Sequence, residues 1–411
     1  MSAPALEILT PGLLNTVQDL GRFGLRRFGV GTAGAMDTLA LRIGNRLLGN
    51  PEDAAGIEVQ VFPFALRITA DTDIAVTGAD CRARLDDTEL PPWWATQARA
   101  GQILRLDPPV TGARSYVTVT GGIDVPMLLG SRSTYLRGGF GGQEGRALVA
   151  GDTLPVGTAR PPPVMAGEDP PPTPLLGPAL EDAAKPLLVM AGEDPPSTPL
   201  LGPAREDAAR PLLVMAGEDP PSTPFLKPAP LQQNQPKRPP IILGAVPPDL
   251  ALPMARQGAE LTVRVLRAGE YDRFDDTSQQ RFWTTAWRIT PQSDRGGFRL
   301  GGPGLTLLEP IEMRSHGVMP GVIQVPPAGE PIIQMSDANT AGGYPKIAGV
   351  IEADLWRLGQ ARLGSQLRFI EVTYADAVAA LDEIRHYLGQ LHRMVSLQRE
   401  AAERIAGQPR A

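Results

Sequence analysis

The sequence has very little cysteine, few aromatic residues and no long apolar run. Cys81 is the only cysteine among 411 residues, which excludes an intrachain disulfide and metal sites built on cysteine pairs. No apolar stretch reaches the roughly 18 residues that a membrane-spanning helix needs. The N-terminus lacks the basic start and long apolar run of a secretory signal, so we expect a cytoplasmic protein without a membrane span.

Positive charge is not in excess either. Lysine and arginine total 39 against 45 aspartate and glutamate residues, which gives a net charge of −6. Nucleic acid and anionic membrane surfaces attract proteins with basic patches. We therefore expect neither of them as the main partner.

Histidines and common nucleotide-binding motifs are also scarce. The three histidines are His316, His386 and His392, and the last two lie 392 − 386 = 6 positions apart on a predicted helix, which does not place them on one face. We expect neither a metal site nor a Ser-His-Asp triad, and we interpret His316 as a polar loop residue. The sequence contains no P-loop pattern and no strict dinucleotide-binding glycine pattern.

A tandem repeat divides the chain into two halves. Copies beginning VMAGEDPP start at Val164, Val189 and Val214, a period of 189 − 164 = 214 − 189 = 25 residues. Each copy holds several prolines, which interrupt helices and interior strands. We predict a disordered or extended linker, and the alternative is a packed repeat unit. The predicted division is a first domain, a linker, a second domain, and a C-terminal helix with its tail: 1–158, 159–240, 241–375 and 376–411.

Short runs bounded by turn residues predict strands in both halves. The runs are ALEILT, FALRITA, DIAVTG and SYVTVTG in the first half, and ELTVRVL, FRLGG, GVIQVP, PIIQM and SQLRFIEVT in the second. Such a pattern is typical of barrels or sandwiches. Helical spacing predicts one helix from Met36 to a cap at Gly49, and another from Asp376 that docks on the second barrel or on a partner. The apolar stripe of the second helix comprises Val378, Leu381, Ile384, Leu388, Leu391 and Val395.

The loop SDANTAGGYPK concentrates polar groups between two apolar runs. Its Gly342-Gly343 pair lets backbone N–H groups approach a ligand without interference from a Cβ. Lys346 supplies a mobile charge for phosphate or carboxylate, and Asp337 is suited to orient water or to accept a proton. The alternative is a β-hairpin in which the aspartate caps a turn and the lysine is solvated.

Other segments combine charged groups, hydroxyls and glycines. In TVQDLGR, Asp19 and Arg22 either tie a turn or line a cleft. The hydroxyls around Arg132 in GSRSTY suit an oxyanion or a capped turn, and SDRGGFRLGGP repeats the pattern with Asp294 and Arg295. The run RGGFGGQEGR is either an anion cradle made of backbone N–H groups or a tight loop between strands.

These segments together resemble one protein family, and they occur in the family's order. The resemblance rests on PGLLNTVQDLGRFG, GAMDTLALRIGNRLLGNPEDAAGIE, VTGGIDVPMLLGSRSTY, GGQEGRALVAGD, SDRGGFRLGGP, GVIQVPPAGEPIIQMSDANTAGGYPKIAGVIEADL and LGSQLRFIEVT. The family contains the C subunit of the bacterial ATP-dependent 5-oxoprolinase. It is also described as allophanate hydrolase subunit 2, and as the biotin-dependent carboxyltransferase family with subdomains A and B.

The resemblance implies a mainly β fold with two cyclophilin-like β-barrel domains and a few helices. It implies two partners, the B and A subunits of 5-oxoprolinase, in an enzyme that converts 5-oxo-L-proline, ATP and water into L-glutamate, ADP and phosphate. ATP, with or without Mg²⁺, is then a co-substrate of the complex, and no biotin is attached to this chain. We expect a polar floor for an anionic ligand, between the barrels or at the interface with the B subunit.

Within this family region, residue chemistry selects the candidate site. We predict Asp337 and Lys346 as catalytic residues. The predicted substrate-binding or anion-binding residues are Gln18, Asp19, Arg22, Arg132, Ser133, Asp294, Arg295, Gln324, Thr340, Gly342, Gly343 and Tyr344.

Two other functions are compatible with the same resemblance. One is the carboxyltransferase component of a biotin-dependent urea carboxylase or allophanate-type system, although the chain has no Met-Lys-Met biotinylation setting and no room for a biotin carboxylase. The other is a non-catalytic regulatory partner of a kinase inhibitor that resembles the B subunit. ATP-coupled turnover separates the hydrolase from this last alternative.

The sequence departs from the family pattern in two ways. About 80 residues of repeat stand where the family has a brief connection, which leaves the barrels intact because loop-closure cost grows slowly with length. Gly296 stands where we expect a bulkier apolar residue, so substrate specificity is the property most open to change.

Overall fold

The computed structural model describes residues 5–158, 243–248 and 260–406. The described residues of both halves belong to one compact unit. The predicted linker, 159–240, lies outside the described residues. Among the helices of the described chain, none combines the length and hydropathy required to cross a bilayer.

The first half consists of two six-stranded sheets around one apolar core. The sheet orders are β11-β1-β4-β9-β6-β7 and β12-β8-β5-β10-β3-β2. All four strand predictions for this half are confirmed. β1 alternates and buries one face, whereas β5 and β10 contain consecutive residues that are buried on both faces. The strands are β1 Ala5–Thr10, β2 Thr16–Gln18, β3 Gly56–Val59, β4 Phe64–Ile68, β5 Thr72–Asp80, β6 Arg84–Leu85, β7 Thr88–Glu89, β8 Trp94–Ala98, β9 Ile103–Leu106, β10 Thr111–Val119, β11 Thr153–Pro155 and β12 Leu243–Gly244.

The second half closes a seven-stranded barrel, in the order β13-β20-β17-β18-β15-β14-β21, around its own core. β13 and β21 run parallel, and the other barrel pairs are antiparallel. The mainly β class is therefore confirmed. The strands are β13 Leu261–Arg267, β14 Trp287–Ile289, β15 Gly297–Gly301, β16 His316–Gly317, β17 Val322–Gln324, β18 Ile332–Gln334, β19 Ala341–Gly342, β20 Lys346–Val350 and β21 Gln366–Glu371.

Helix α1, Thr38–Leu48, lies in a third core that contains residues of both halves. The Asp37 carboxylate accepts a hydrogen bond from the backbone N–H of Ala40 at its start, and Gly49 ends it with φ 68°. The glycine cap is the one that the sequence predicted. The two shorter helices are α2, Asp276–Thr284, and α3, Leu355–Gly359.

The C-terminal helix α4 spans Tyr374–Ala406 and packs in this third core. It contacts α1 of the first half as well as the short 3-10 turn Glu352–Asp354 of the second. The prediction of docking on the second barrel was therefore incomplete, because it left out α1. The buried face also differs at one end, since Val378 is 37% exposed and the small alanines at 377 and 380 are buried instead.

Candidate functional site

The SDANT loop, 336–340, follows β18 and lies against the first half of the chain. Arg295 binds the Asp337 carboxylate, with Nε–Oδ2 and Nη2–Oδ1 distances of 3.1 and 3.2 Å. The backbone N–H of Asp337 donates to the Arg295 carbonyl at 2.8 Å. Asp337 is only 2% exposed. Its predicted catalytic role stays a prediction, and its clearest contact is a buried ion pair.

A second carboxylate, Glu58 on β3, shares the Arg295 guanidinium. Arg295 Nη1 bonds Glu58 Oε1, and its Nη2 donates to the Gly34 carbonyl at 2.6 Å. Tyr116 donates its hydroxyl proton to Glu58 Oε2 at 2.7 Å, and Arg114 Nε lies 3.9 Å from Oε1. We call Glu58, Arg114, Tyr116, Arg295 and Asp337 the buried charge cluster; it links the first half to the barrel.

The electrostatics of this cluster favour its charged state. Burial alone raises the pKa of Glu58, but Arg295 and Arg114 outweigh burial and hold that pKa below its ordinary value. Burial likewise lowers the pKa of Arg295, and the charges of Glu58 and Asp337 more than reverse that effect. Both groups therefore remain ionised in the folded protein.

Asp37 lies beside the cluster, and no cationic side chain pairs with it among the residues that the structure describes. Its backbone N–H donates to the Tyr116 hydroxyl at 2.8 Å, and its carboxylate accepts from Gln360 Nε2 at 2.7 Å. Burial, reinforced by the charge of Glu58, raises the Asp37 pKa to about 6 despite these hydrogen bonds. This carboxyl group therefore changes charge near neutral pH.

Asp19 holds the GSRSTY segment in place. Its Oδ1 accepts from the hydroxyls of Ser131 and Ser133 at 2.7 and 2.5 Å and from the Gly21 N–H at 2.8 Å. Its Oδ2 accepts from the Arg132 N–H at 2.5 Å. The expected Asp19–Arg22 pair does not form as a hydrogen bond; the serine hydroxyls and backbone N–H groups fill both oxygens instead.

Arg22 is completely buried. It lies beneath the segment RGGFGGQEGR, residues 137–146, which we call the glycine-rich loop. It donates to the carbonyls of Leu128 and Ser133 at 3.2 and 2.5 Å, and its guanidinium carbon lies 4.9 Å from the centre of the Phe140 ring. A side chain at Gly141 would collide with it, because an added Cβ would lie 2.2 Å from Nη2. Burial lowers the Arg22 pKa, with Asp19 and Asp337 acting in the opposite direction.

Gln18 and Arg132 also bind within the first half. Gln18 donates to the Thr16 hydroxyl at 2.9 Å and to the Thr134 carbonyl at 3.1 Å. Arg132 Nη2 pairs with the Asp124 carboxylate at 2.6 Å. A carboxylate thus already occupies the position at Arg132 where an anionic ligand was expected.

Lys346, on β20, has a carboxylate neighbour as well. Its ammonium nitrogen lies 3.7 Å from Glu270 Oε2, and its backbone N–H donates to the same oxygen at 3.1 Å. Gln324 Nε2 donates to the Tyr344 carbonyl at 3.4 Å, and the Tyr344 side chain is exposed. These residues lie on the barrel side of the loop.

The remaining predicted residues lie in turns and in the short strand β19, close to the SDANT loop. Asp294 is exposed, and its Oδ1 accepts from the N–H groups of Gly296 and Gly297 at 2.7 and 3.1 Å. The Thr340 carbonyl accepts from the Val318 N–H at 3.0 Å. Gly342 pairs with His316 between β19 and β16, and Gly343 approaches Met313, whose carbonyl would lie 2.9 Å from an added Cβ.

An open cleft of about 570 Å³ lies beside Arg22. Its walls come from Val125–Leu128, from Phe140–Gly145 of the glycine-rich loop, and from Thr153 and Pro155. In the part of the chain that the structure describes, no group of three histidine, cysteine, aspartate or glutamate side chains is arranged to hold a metal ion.

The structure thus places the predicted residues in separate groups. Arg295 and Asp337 lie at the boundary between the two halves, the group around Asp19 lies within the first half, and Lys346 lies on the barrel. The sequence analysis missed Glu58, Arg114 and Asp37. Glu58 carries a usable signal, because a glutamate inside the apolar strand GIEV is buried only when it is paired. Asp37 precedes a helix, where an aspartate is common as a cap, so the sequence gives no reason to expect another role. Arg114 lies in a strand, and nothing near it in the sequence indicates its partner Glu58.

The chain matches known proteins over most of its length. The family model described as "Carboxyltransferase domain, subdomain A and B" matches residues 28–194 and 226–371. Two full-length relatives agree with that match. The chain is 34% identical to the 5-oxoprolinase C subunit of Escherichia coli K12, over 94% of this chain and 97% of that protein. It is 36% identical to the 5-oxoprolinase C subunit of Haemophilus influenzae, over 95% and 98% respectively. The chain therefore belongs to the family of carboxyltransferase domains with subdomains A and B. The two 5-oxoprolinase C subunits are among its relatives.

More distant matches come from larger proteins. Urea amidolyase of Lachancea kluyveri is 29% identical over 90% of this chain, which corresponds to 17% of that protein. A crystal structure of TTHA0988 superposes with a TM-score of 0.60 at 28% identity, covering 90% of this chain and 56% of that one. The urea amidolyase structure of K. lactis has a TM-score of 0.68 at 24% identity and supports the fold alone; the match covers 94% of this chain and 20% of that one.

Proposed function

We propose that the chain is the C subunit of an ATP-dependent 5-oxoprolinase, which hydrolyses 5-oxo-L-proline to L-glutamate together with its A and B subunits. The observation that carries this proposal is the identity of 34% and 36% to two C subunits, over nearly the whole of both partners in each alignment. The chemistry of the boundary region is compatible with it.

The proposed reaction has a clear physical requirement. A lactam carbonyl is a poor electrophile, and its oxygen becomes a good leaving group once it carries the γ-phosphoryl group of ATP. Water then adds to that carbon, and the C–N bond breaks as the nitrogen takes a proton, which opens the ring to an acyl phosphate. A second water releases phosphate from this group and leaves the side-chain carboxylate of glutamate. Cationic and backbone donors stabilise the oxyanions of such a reaction, and a carboxylate positions the water.

The described residues offer these groups in the SDANT loop and its surroundings. Asp337 is the candidate carboxylate and Lys346 the candidate cation, as predicted. Asp337 is held by Arg295 and Lys346 lies near Glu270. Either residue must therefore exchange or share its present partner to act on substrate.

The first test is reconstitution of the complete enzyme. The chain is mixed with the A and B subunits of the same source, and ATP-dependent release of glutamate from 5-oxoproline is measured beside ADP formation. We expect one glutamate per ADP, and no turnover when this chain is left out. A well-assembled complex without turnover would contradict the proposal.

Substitution of Lys346 tests a single residue of the proposed mechanism in the reconstituted enzyme. If its ammonium contacts the reacting groups, Lys346→Met lowers kcat at least about tenfold, because a charge-assisted hydrogen bond in a transition state is worth over ~1.4 kcal/mol. Lys346→Arg is the matched control, since it keeps the charge and the pairing with Glu270. Equal kcat for Lys346→Met and the native chain would remove this residue from the mechanism.

The second candidate is carboxyl transfer to urea from carboxybiotin on another chain. The similarity to a segment of urea amidolyase supports it. The assay supplies carboxybiotinylated carrier protein with urea as acceptor and follows the loss of the carboxyl group. Transfer to urea without ATP-coupled glutamate release would replace the first proposal by this one.

A further inference from the structure

Two arginines from the first half converge on Asn339 of the second half. Arg26 Nη2 donates to the Asn339 carbonyl at 2.8 Å, and it also bonds the Val318 carbonyl. Arg137, an exposed residue of the glycine-rich loop, donates from Nη1 to Asn339 Oδ1 at 3.0 Å. Both guanidinium groups are thus held at one residue of the SDANT loop.

Neither of these arginines has a carboxylate partner among the described residues. The third contact of Arg26 is the Thr32 hydroxyl, at 3.1 Å. Burial lowers the pKa of Arg26, and the only charge interaction acting against that effect comes from the Tyr135 phenol. A guanidinium group has five N–H donors, so its contact with Asn339 leaves most donors of exposed Arg137 open to a ligand.

Of the four cations in the predicted site, Arg22 is completely buried and donates to backbone carbonyls, and the other three are paired with carboxylates. Arg295 is paired with Glu58 and Asp337, Arg132 with Asp124, and Lys346 with Glu270. An anionic ligand at any of them competes with a carboxylate already in place. At Arg26 and Arg137 it meets two positive charges whose hydrogen bonds in the described part of the chain go to neutral acceptors, which is the electrostatically favourable arrangement.

We propose that Arg26 and Arg137 form a binding site for a small oxyanion beside Asn339. The inference rests on the proposed function, in which two oxyanions are available: the carboxylate of 5-oxoproline and the phosphoryl groups of ATP. A planar guanidinium binds either group through two parallel hydrogen bonds. The arginines belong to the first half and Asn339 belongs to the second. The site therefore forms only when the two halves pack against each other as they do here.

One carboxylate lies close enough to weaken this site. A Cβ added at Gly296 would lie 3.0 Å from Asp294 Oδ1 and 3.3 Å from Arg137 Nη1, so both groups flank the same small space. The two groups bind elsewhere, because Asp294 Oδ1 accepts from backbone N–H groups and Arg137 Nη1 donates to Asn339. Gly296, where a bulkier residue was expected, keeps this approach to Arg137 open.

Two substitutions should change the affinity of this site for an anion in opposite directions. Arg137→Gln removes one charge from an exposed side chain, so folding is not at risk. Asp294→Asn removes the opposing charge and keeps an oxygen for the N–H groups of Gly296 and Gly297. Arg84→Gln is the matched control, because Arg84 is an exposed arginine paired with Asp107, on a different sheet edge.

The first experiment measures binding to the complete chain alone at low ionic strength. The probes are inorganic phosphate and 5-oxo-L-proline, followed by calorimetry. We expect Arg137→Gln to raise Kd for the bound probe about tenfold, the equivalent of losing one charge-assisted hydrogen bond. Asp294→Asn should lower Kd, and Arg84→Gln should leave it unchanged. Native affinity in both Arg137→Gln and Arg26→Gln would overturn the proposal.

The second experiment uses the reconstituted complex and identifies the source of the oxyanion. A rise in KM for 5-oxoproline alone in Arg137→Gln assigns the site to the substrate carboxylate, and uncharged 5-oxoprolinamide should then be insensitive to the variant. A rise in KM for ATP alone assigns it to a phosphoryl group. Unchanged KM values for both would overturn the site in an active enzyme. Intact probe binding without turnover would instead overturn the proposed function and leave the site standing.

Discussion

Arg295 and Arg137 lie at the same boundary between the two halves and perform contrasting tasks. Arg295 is 5% exposed and binds two carboxylates and a carbonyl. Arg137 is exposed, and its hydrogen-bond partner in the described part of the chain is an asparagine amide oxygen. An arginine in a family motif is therefore not automatically a ligand group. The charges around it decide whether it stabilises the fold or remains available to an anion.

The same distinction applies to the energetics. Burying an ion pair gains little overall, because desolvation offsets attraction, but removing one partner leaves an uncompensated buried charge. Removing an exposed arginine leaves only side chains that water can solvate. The buried charge cluster should therefore control stability, and the exposed Arg137 should control binding.

The largest effect is expected for Glu58→Gln. The amide keeps the shape of the side chain but leaves Arg295 and Arg114 with less compensation, so we expect a loss of about 3–5 kcal/mol in the free energy of unfolding. Urea denaturation of the complete chain measures it. The control is Glu260→Gln, which breaks the exposed pair with Arg368, and should cost no more than about 1 kcal/mol. Equal losses in both variants would refute the distinction.

The next effect concerns Asp37, whose pKa is raised to about 6. Between the ordinary carboxyl pKa and that value, the folded protein holds a proton that the unfolded chain has released. Stability should therefore fall as pH rises through this window, by at most about 1.4 kcal/mol per pH unit from this group.

Urea denaturation between about pH 4 and pH 6.5 tests this sign, with Asp37→Asn as the comparison. The variant should show a flatter profile, because the titrating group is gone while the oxygen that accepts from Ala40 is retained. Glu58 acts in the opposite sense and at lower pH, since its pKa is lowered. Parallel profiles for the native chain and Asp37→Asn over the window would contradict the assignment.

The smallest effect on stability is expected for Arg137→Gln. An exposed side chain with one neutral acceptor should change the free energy of unfolding by less than about 0.5 kcal/mol. The same variant should weaken oxyanion binding about tenfold. A large loss of stability would show that Arg137 stabilises the fold, as Arg295 does.

The strands and both long helices were predictable because their signals are local. Alternation indicates β1, short runs bounded by turn residues indicate β4, β5 and β10, and helical spacing with a glycine cap indicates α1. The docking of α4 was not predictable in the same way, since the surface that it covers combines α1 with a turn of the second half, which are distant in the sequence.

The roles of the predicted site residues stay predictions, and their partners were not readable from local motifs. The SDANT loop and Arg295 contact each other at the boundary, whereas the GSRSTY segment is held by Asp19 within the first half. Local motifs cannot show that Asp124 neutralises Arg132 or that Ser131 and Ser133 fill the Asp19 carboxylate. Glu58 and Arg295 are 295 − 58 = 237 positions apart, so their pairing is a property of the tertiary structure alone.

The chain returns to its first half before it enters the barrel. Leu243 and Gly244 of β12 pair with Ala95 and Trp94 of β8, while β11 pairs with β1 just before the repeat-bearing segment. Both flanks of that segment are therefore fastened by strand pairing to the same half. Losing one 25-residue copy from the 84 residues between 158 and 243 changes closure entropy by only about 0.3 kcal/mol. A change in the number of copies is therefore compatible with the same two strand pairings.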